Sequence, residues 1–313
     1  MLLRSMLYFP GNSVRMAFKA ATLPMDAAIF DLEDAVSIDD KETARIIARD
    51  VVGLVKKRGI RTFVRVNSLN TGLTLEDVKC TTVRELDGFM LAKTEAGSDV
   101  ARLGRMISRV ERSSKIKAGS MRVIPLIETA KGVLNSFKIA SGTERVVAVA
   151  FGAGDYYRDL GKDITSISRE ENELLYARSQ IVNASRATGV QAIDTPFLGS
   201  LTDKEAFLAE VKLAARLGFR GKQCIHPSQI QPINSVFSPS KQEVDRACRI
   251  VEAFEEAQSK GLGVMSFEGK MIDRMNYRQA KDLLENAQMI EGREKASEQG
   301  SSHVHMDEIF ARK

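Results

Sequence analysis

Two carboxylates stand where apolar runs of the sequence end. Glu128 directly follows the run Met121–Ile127, and Asp155 lies just beyond the run Val146–Phe151. If these runs are neighbouring parallel strands, the two carboxylates lie side by side and repel each other unless a proton or a cation lies between them. With oxygen ligands and no His or Cys near them in the sequence, Mg²⁺ is the natural cation. The alternative is that each carboxylate pairs with a structural Arg or Lys.

Another candidate is an arginine placed to hold an anion. Arg65 lies in the otherwise apolar run Thr62–Val66. Pointing outward it would be a solvated charge, and pointing into a cavity it would be a bidentate clamp for a carboxylate. The small residues 152–154 let backbone amides approach a bound anion or a metal ligand. Lys93 is expected to give electrostatic support, and His226 suits a structural or ligand-contact role better than that of a base.

The elements that must position these residues alternate along the chain. Amphipathic stretches of helical length lie between several short apolar runs, and this alternation is typical of parallel βα units. Eight units close most naturally into a (β/α)8 TIM barrel. An open, doubly wound sheet is the alternative, but no GxGxxG turn follows the first run. The predicted strands are Met6–Phe9, Ala27–Phe30, Thr62–Val66, Phe89–Ala92, Met121–Ile127, Val146–Phe151, Val190–Ile193 and Gly221–Ile225.

Polar or ionisable residues follow all eight predicted strands. The carboxyl ends of barrel strands share one rim, where the active sites of TIM barrels are built. The pattern therefore predicts that Asp194, after the seventh strand, and His226, after the eighth, lie at the same rim as Glu128 and Asp155.

The chain is expected to have three parts. The barrel would occupy residues 1–235, and a C-terminal helical lid that could fold over the barrel mouth would occupy residues 236–290. Within the lid, helices are predicted at Lys241–Lys260 and from about Tyr277 to Gln288. Residues 291–313 are polar and contain Gly292 and Gly300, which predicts a mobile or partner-contacting tail.

Composition narrows the classes of partner. The 313 residues carry a net charge of +5, a mild excess that suits anionic small molecules and gives little support to nucleic acid. Three cysteines without paired spacing argue against a disulfide framework and fit the reducing cytoplasm. No apolar run approaches the roughly 18 residues of a membrane span, so neither a signal peptide nor a membrane segment is expected.

Seven short segments resemble consecutive motifs of one family. The family is the citrate lyase β-subunit-like group of the HpcH/HpaI aldolase superfamily, which includes citryl, malyl and citramalyl thioester lyases. The resemblance extends from about residue 4 to residue 290. The segments are RSMLYFPGN (4–12), FDLEDAV (30–36), VRVN (64–67), PLIET (125–129), GDY (154–156), GKQCIHP (221–227) and GKMID (269–273).

This resemblance implies a (β/α)8 barrel, Mg²⁺-dependent cleavage of a carbon–carbon bond and a homo-oligomer, either a trimer or a hexamer. Glu128 and Asp155 resemble the Mg²⁺ ligands, and Glu128 would also contact the substrate. Arg65 resembles the clamp on the substrate carboxylate. Glu33 and Asp34 resemble residues near the metal-bound waters and count with Arg65 among the expected catalytic residues.

The resemblance also implies contacts with coenzyme A. Tyr8, Arg15 and Lys19 resemble positions that contact the nucleotide of the coenzyme, and Ile225 and His226 belong to a loop near its pantetheine arm. The resemblance also assigns a role to a residue of the lid. Asp273 resembles a catalytic acid–base residue that enters the site of the neighbouring subunit.

The leading hypothesis is a cytoplasmic Mg²⁺-dependent lyase that cleaves a 3-hydroxyacyl-CoA thioester to acetyl-CoA and a 2-oxo acid. Citramalyl-CoA, malyl-CoA and citryl-CoA are the candidate substrates. One alternative is the β subunit of a citrate lyase, which would act on citryl-acyl carrier protein together with an α subunit. Two others are a malyl- or citramalyl-CoA thioesterase and a non-catalytic protein that binds acyl thioesters. The sequence leaves these alternatives open.

Overall fold

Eight parallel strands close into a barrel in which each strand is hydrogen-bonded to the next and the eighth to the first. This confirms the predicted (β/α)8 fold. The clearest difference in bounds is at the sixth strand, where Val146 forms only an isolated bridge to Val123 before the strand begins. The strands are β1 Ser5–Pro10, β2 Ala27–Asp31, β3 Arg61–Val66, β4 Gly88–Leu91, β5 Arg122–Ile127, β6 Ala148–Phe151, β7 Gln191–Asp194 and β8 Gly221–Cys224.

The computed structural model describes residues 1–301, and the side chains of residues 1–295. Within it the chain forms two compact units, one spanning Leu3–Asn234 and the other beginning at Ser235. Among the described residues, no helix combines the length and the apolar character needed to cross a membrane.

Helices follow the strands of the barrel unit. Helices α1, α5 and α9 begin at side-chain caps: the hydroxyl of Ser13, for example, accepts a hydrogen bond from the backbone N–H of Met16. Short 3-10 turns precede α2, α3, α8 and α10. The helices are α1 Val14–Ala20, α2 Lys41–Lys56, α3 Thr74–Thr81, α4 Gly97–Ser113, α5 Ala130–Leu134, α6 Ser136–Ala140, α7 Ala153–Asp159, α8 Leu175–Thr188, α9 Lys204–Leu217 and α10 Ile230–Val236.

Apolar side chains fill the inside of the barrel. Because successive side chains of a strand point to opposite faces, alternate residues such as Met6, Ile29, Phe63 and Met90 meet in one buried cluster. Tyr8 packs against this cluster while remaining part-exposed. The packed interior therefore forms a solid base below the carboxyl ends of the strands.

The second unit consists of two long helices and a hairpin. Helix α11 spans Lys241–Ser259, as predicted, and α12 spans Arg274–Ser301. Between them, β9 (Met265–Phe267) pairs antiparallel with β10 (Lys270–Ile272). Both turn residues of this hairpin, at 268 and 269, have positive φ, as a type I′ turn requires.

Helix α12 extends beyond the predicted boundary at residue 291. Gly292 does not end it, because a single glycine costs only about 1 kcal/mol within a helix. Ile290 is buried, and Lys295 pairs with Glu291 one turn away at 2.5 Å. The part of the predicted tail at residues 302–313 lies outside the described residues.

Candidate active site

A cavity of about 540 Å³ opens at the carboxyl ends of the barrel strands. Side chains from the ends of β1, β2 and β3 and from the segments after β5, β6 and β7 line it. They include six residues that the sequence singled out, together with the glutamine of β8: Tyr8, Asp34, Arg65, Glu128, Asp155, Ile225 and Gln223.

Arg65 is fixed by carboxylates of the preceding strand and loop. Its Nε and Nη2 donate to the two carboxylate oxygens of Asp31 at 2.6 and 2.7 Å, a bidentate pair that sequence analysis missed. Burial alone would raise the pKa of Asp31, but Arg65 together with the backbone N–H groups of Glu33 and Ala35 holds this pKa below its ordinary value. The Nη1 edge of Arg65 faces Oε2 of Glu33 at 3.0 Å, and the guanidinium lies 5.0 Å from the ring centre of Tyr8.

Glu128 is a deeply buried carboxylate at the end of β5. Its Oε2 accepts a hydrogen bond of 2.7 Å from the backbone N–H of Lys93. Burial, reinforced by the charges of Glu33 and Asp155 and opposed by Arg65, raises the pKa of Glu128 to about 8. A methyl group at Gly152 would lie 2.6 Å from Cγ of Glu128, so glycine at this position makes room for the carboxylate.

Asp155 lies in the first turn of α7 and reaches the same cavity. Its Oδ1 is 3.0 Å from Nη1 of the exposed Arg158, and its Oδ2 is 3.5 Å from Nζ of Lys93. Asp155 therefore has cationic neighbours, as the structural alternative allowed, but one of them is a solvated side chain and the other is shared.

Lys93 lies among the carboxylates of the cavity. Its backbone has a φ of 50°, a conformation that non-glycine residues adopt at a cost. Nζ lies 2.8 Å from Oε1 of Glu33 and 3.8 Å from Oδ1 of the exposed Asp34. Desolvation by itself lowers the pKa of Lys93, but the hydrogen bond to Glu33 and the surrounding carboxylates raise it well above its ordinary value. Lys93 therefore stays charged, as the sequence predicted.

These residues form a charged set, here called the mouth cluster. If every group is ionised, two negative charges are uncompensated, and one divalent cation would balance them. Oε2 of Glu33 is buried and accepts no hydrogen bond from any described residue. The cluster comprises the carboxylates of Asp31, Glu33, Asp34, Glu128 and Asp155 and the cations of Arg65, Lys93 and Arg158.

The oxygen donors at this site suit Mg²⁺, which carboxylates and water molecules bind as ligands. Among the described side chains, no group of three or more His, Cys, Asp or Glu residues is arranged to hold a metal ion. Mg²⁺ is commonly bound by one or two carboxylates, with water and substrate oxygens completing its coordination. Glu128 and Asp155 line one cavity and can supply that pair.

Tyr8 occupies a different environment from Arg15 and Lys19. Tyr8 lies in the cavity below Arg65, and its hydroxyl donates to Oε1 of Gln223 at 2.6 Å. Arg15 and Lys19 are exposed, one turn apart on α1, whose Met16 lines the cavity. Tyr8 therefore faces the cavity whereas Arg15 and Lys19 face solvent, and the contact of all three with one nucleotide stays a prediction.

The loop after β8 places Ile225 and His226 at the surface. Ile225 is 53% exposed and lines the cavity, so it offers apolar contact to a ligand at the mouth. His226 is also exposed, and its Nδ1 accepts from the backbone N–H of Ser228 at the start of a 3-10 turn. This capping agrees with the structural role that the sequence favoured for His226.

Asp273 belongs to the second unit. It is exposed, and its Oδ1 accepts hydrogen bonds from the backbone N–H groups of Met275 and Asn276. It thereby caps the N-terminus of α12.

Asp194 does not lie at the cavity, contrary to the sequence prediction. Its fully buried carboxylate points away from the barrel mouth to Arg178 of α8 and Lys222 of β8, at 3.0 and 2.8 Å. The physical reason is the alternation of side chains along a strand, which turns Asp194 outward and directs the next residue, Thr195, to the cavity. A charged residue at a strand end thus need not face the rim.

Asp194 is part of a second charged set, here called the buried network. Arg178 also contacts Glu171 at 2.6 Å, and both Arg178 and Lys222 contact Oε1 of Glu210. Three carboxylates surround two cations, and Oε2 of Glu210 accepts no hydrogen bond from a described residue. Burial is the main cause that raises the pKa of Glu210, to about 7.

The fold and the cavity together define a class. A closed parallel barrel with ionisable residues gathered at the carboxyl ends of its strands is the arrangement typical of TIM-barrel enzymes. Residues 4–227 match the sequence profile of the HpcH/HpaI aldolase/citrate lyase family, and the chain belongs to this family. The match confirms the resemblance that the sequence motifs showed.

Two characterised relatives illustrate the range of this family. Citrate lyase subunit beta of Haemophilus influenzae is 37% identical over 286 residues, which cover 91% of this chain and 97% of the relative. The mitochondrial citramalyl-CoA lyase of Homo sapiens is 32% identical over 297 residues, covering 92% of this chain and 86% of the relative.

A solved structure is similar over the same extent. It is the crystal structure of the protein CitE from Mycobacterium tuberculosis in complex with magnesium, acetoacetate and coenzyme A. It matches with a TM-score of 0.72 and 30% identity, covering 91% of this chain and 97% of that chain.

Proposed function

We propose that this protein is a Mg²⁺-dependent carbon–carbon lyase that cleaves a 3-hydroxyacyl-CoA thioester to acetyl-CoA and a 2-oxo acid. Citramalyl-CoA, malyl-CoA and citryl-CoA are the candidate substrates. The observation that carries the proposal is that Glu128 and Asp155 line the same cavity as Arg65, within a cluster in which five carboxylates outnumber three cations. The relatives support it, because one is a citramalyl-CoA lyase and a similar structure contains magnesium and coenzyme A.

Glu128 and Asp155 are the residues that would hold the ion. Mg²⁺, when bound, acts as a Lewis acid on the carbonyl and carboxylate oxygens of the oxo acid and orients them. The chain prepares this site in two ways. Gly152 leaves room for the carboxylate of Glu128, and the backbone N–H of Lys93 fixes one of its oxygens.

Arg65 would bind the carboxylate of the substrate. Asp31 holds its Nε and Nη2 in a fixed plane, so the guanidinium keeps one orientation towards the cavity. The contact between Nη1 and Glu33 is an ion pair in which Oε2 of Glu33 accepts no hydrogen bond from a described residue. A substrate carboxylate with better geometry can therefore take hydrogen bonds from this edge of Arg65.

Proton transfer requires further residues. Cleavage needs a base for the substrate hydroxyl and leaves an enolate whose methylene carbon must be protonated to a methyl group. We assign Glu33 and Asp34 to the surroundings of the waters that a bound ion would carry. Lys93 donates a hydrogen bond of 2.8 Å to Glu33, and its Nζ lies 3.8 Å from the carboxylate of Asp34. Asp273 is proposed as the acid–base residue, acting in the site of a neighbouring subunit.

Coenzyme A would lie across the rim of the barrel. Arg15 and Lys19 present two cations on the exposed face of α1, where they suit the phosphates of the nucleotide. The exposed Ile225, with His226 beside it, suits the pantetheine arm. Tyr8 suits the acyl end, since it lies below Arg65.

Assembly and location complete the proposal. We propose a homo-oligomer, a trimer or a hexamer, in the cytoplasm, with the second unit serving as a lid that carries Asp273 to the adjoining subunit. Size-exclusion chromatography with light scattering measures the number of subunits directly.

A second candidate is the β subunit of a citrate lyase. The 37% identity to citrate lyase subunit beta of Haemophilus influenzae, over 91% of this chain, favours it. In that case the thioester would be citryl-acyl carrier protein, and an α subunit would be a partner.

The experiment that tests the function uses purified full-length protein with each of the three CoA thioesters and with citryl-acyl carrier protein. Each substrate is assayed with Mg²⁺ and with excess chelator. We expect acetyl-CoA and one 2-oxo acid to form in equal amounts, and the reaction to stop when the metal is removed. Free coenzyme A with an intact hydroxy acid would instead indicate a thioesterase. Turnover of citryl-acyl carrier protein alone would select the citrate lyase subunit, and absence of any turnover would indicate a binding protein.

A further inference from the structure

We propose that Gln223 is a positioning residue for Tyr8. It accepts the hydrogen bond of the Tyr8 hydroxyl, so that the phenol oxygen can act towards a ligand in the cavity only as a hydrogen-bond acceptor. The proposal deepens the lyase function proposed above, in so far as turnover is one of its readouts. Gln223 lies in the segment GKQCIHP, but neither the family resemblance nor the ion site assigns it a role.

The amide of Gln223 has one allowed orientation. Its Nε2 donates to the carbonyl oxygen of Phe151 at 2.8 Å and to that of Asp194 at 2.9 Å. These carbonyls lie at the ends of β6 and β7, and the side chain of Gln223 is buried. Turning the amide over would place its oxygen against two carbonyl oxygens, which the low dielectric of the interior penalises.

The orientation of this amide dictates the direction of the bond to Tyr8. With both amide hydrogens engaged, Oε1 can only accept, so the hydroxyl of Tyr8 must donate its proton along the 2.6 Å bond. Sδ of Met90 lies 3.0 Å from the same oxygen, but a thioether is the weaker acceptor. The phenol oxygen is then left with its lone pairs, and it can accept a hydrogen bond in the cavity but not supply a proton.

Tyr8 carries this constraint to the reacting end of the site. It lines the cavity, and its ring lies under the guanidinium of Arg65 at 5.0 Å. Gln223 therefore sets both the direction of the hydroxyl and the position of the ring beneath the proposed carboxylate clamp. The bond thus favours a ligand with a donor, such as a substrate hydroxyl or a bound water, at the phenol oxygen.

A double-mutant cycle tests whether Gln223 acts through Tyr8. Gln223→Met keeps the approximate volume and removes the acceptor, and Tyr8→Phe removes the donor. We expect each single variant to lower kcat/KM by about tenfold, and Gln223→Met to have less than about a threefold effect in the Tyr8→Phe background. An equal loss in both backgrounds, or an unchanged kcat/KM in Gln223→Met, would overturn the proposal.

A second variant separates the acceptor of Gln223 from its donors. Gln223→Glu, protonated in this buried place, still accepts from Tyr8 but can donate to only one of the two carbonyls. We expect it to lower the melting temperature as Gln223→Met does and yet retain most of the kcat/KM. A loss of kcat/KM equal to that of Gln223→Met would assign Gln223 to holding the strand ends alone. The pair remains informative if Gln223→Met does not fold, since Gln223→Glu can then be compared with Tyr8→Phe.

A spectroscopic readout is independent of the reaction. The chain has five tyrosines, so the hydroxyl proton of Tyr8 can be identified by NMR of tyrosine-labelled protein as the signal that Tyr8→Phe removes. We expect a slowly exchanging signal in the unaltered protein that is lost or shifted in Gln223→Met. An unchanged signal in Gln223→Met would overturn the proposal even if the enzyme is active. If no thioester is cleaved, the lyase function fails while this measurement still decides the role of Gln223.

Discussion

The mouth cluster and the buried network both gather charges near the carboxyl ends of barrel strands, yet they differ in what they face. In β8, Lys222 points outward to the buried network, and the adjacent Gln223 points inward to Tyr8. At the end of β7, Asp194 and Thr195 divide in the same way. The side of the strand, rather than the type of residue, therefore decides whether a charge serves the cavity or the packing of the helices.

The two sets also differ in how their charges are balanced. In the buried network each cation contacts more than one carboxylate, and the side chain of Arg178 is completely buried. In the mouth cluster five carboxylates lie with three cations beside a cavity, and burial is the main cause that raises the pKa of Glu128 to about 8. An unpaired charge in a fully buried site lowers stability, whereas an unpaired charge beside a cavity can be neutralised by a ligand. We therefore expect substitutions in the two sets to affect different properties.

The largest effect is expected from Asp155→Asn in the mouth cluster. Because it removes one of the two proposed metal ligands, kcat should fall by about a thousandfold or more, since the ion contributes several kcal/mol to the barrier. The free energy of unfolding should change by less than about 1 kcal/mol, because one carboxylate fewer reduces repulsion. Steady-state kinetics, calorimetric Mg²⁺ titration and urea denaturation measure the three quantities.

Asp159→Asn is the matched control for this substitution. Asp159 is exposed on the same helix, and asparagine can still accept the bond from the backbone N–H of Ala130. Unaltered Mg²⁺ affinity in Asp155→Asn would contradict the metal site, as would an equal loss of activity in the control.

Much of the mouth cluster could be predicted from the sequence, because residues that follow the strands of a barrel meet at one rim. Glu128 and Asp155 follow apolar strands, and the ends of barrel strands share a rim, so their meeting in one cavity follows from the fold. Asp31 could have been found by the same reasoning. It ends β2, pairs in register with Arg65 of β3, and so lies beside it.

The buried network could not be predicted in this way. Side chains alternate between the two faces of a strand, so the face on which Asp194 lies depends on where β7 begins. This strand has only four residues, and the sequence does not define its first residue. Arg178 lies on a helix whose amphipathic pattern does not identify an arginine among its fully buried residues. Helix α12 also extends further than the sequence predicts, because Gly292 does not break it and Lys295 pairs with Glu291 one turn away.

A smaller effect, on stability instead of activity, is expected from Asp194→Asn. The charges of Arg178 and Lys222 hold the pKa of Asp194 below its ordinary value despite complete burial. Asparagine replaces one carboxylate oxygen by an NH2 group, which would face the buried N–H donors of Arg178 or Lys222, so the free energy of unfolding should fall by about 3–5 kcal/mol. The kcat of the remaining folded protein should stay within about threefold, because only the backbone carbonyl of Asp194 contacts Gln223. Urea denaturation and active-site-normalised kinetics test this, and a loss of activity without a loss of stability would break the comparison.

The smallest effect is expected at Glu210, and it depends on pH. The folded protein binds the Glu210 proton more tightly than the unfolded chain, because burial raises the pKa of this carboxyl from 4.5 to about 7. Raising the pH through this interval therefore lowers the free energy of unfolding, and Glu210→Gln should remove roughly 1–3 kcal/mol of that decline. Glu205→Gln, on the same helix with a side chain 91% exposed, is the control and should leave the slope unchanged. Urea denaturation at several pH values between 5 and 8 provides the measurement. If Glu210→Gln leaves the pH dependence of the free energy of unfolding unchanged, other groups balance the charges of the buried network. The distinction between the buried network and the mouth cluster would then rest on Asp194 alone.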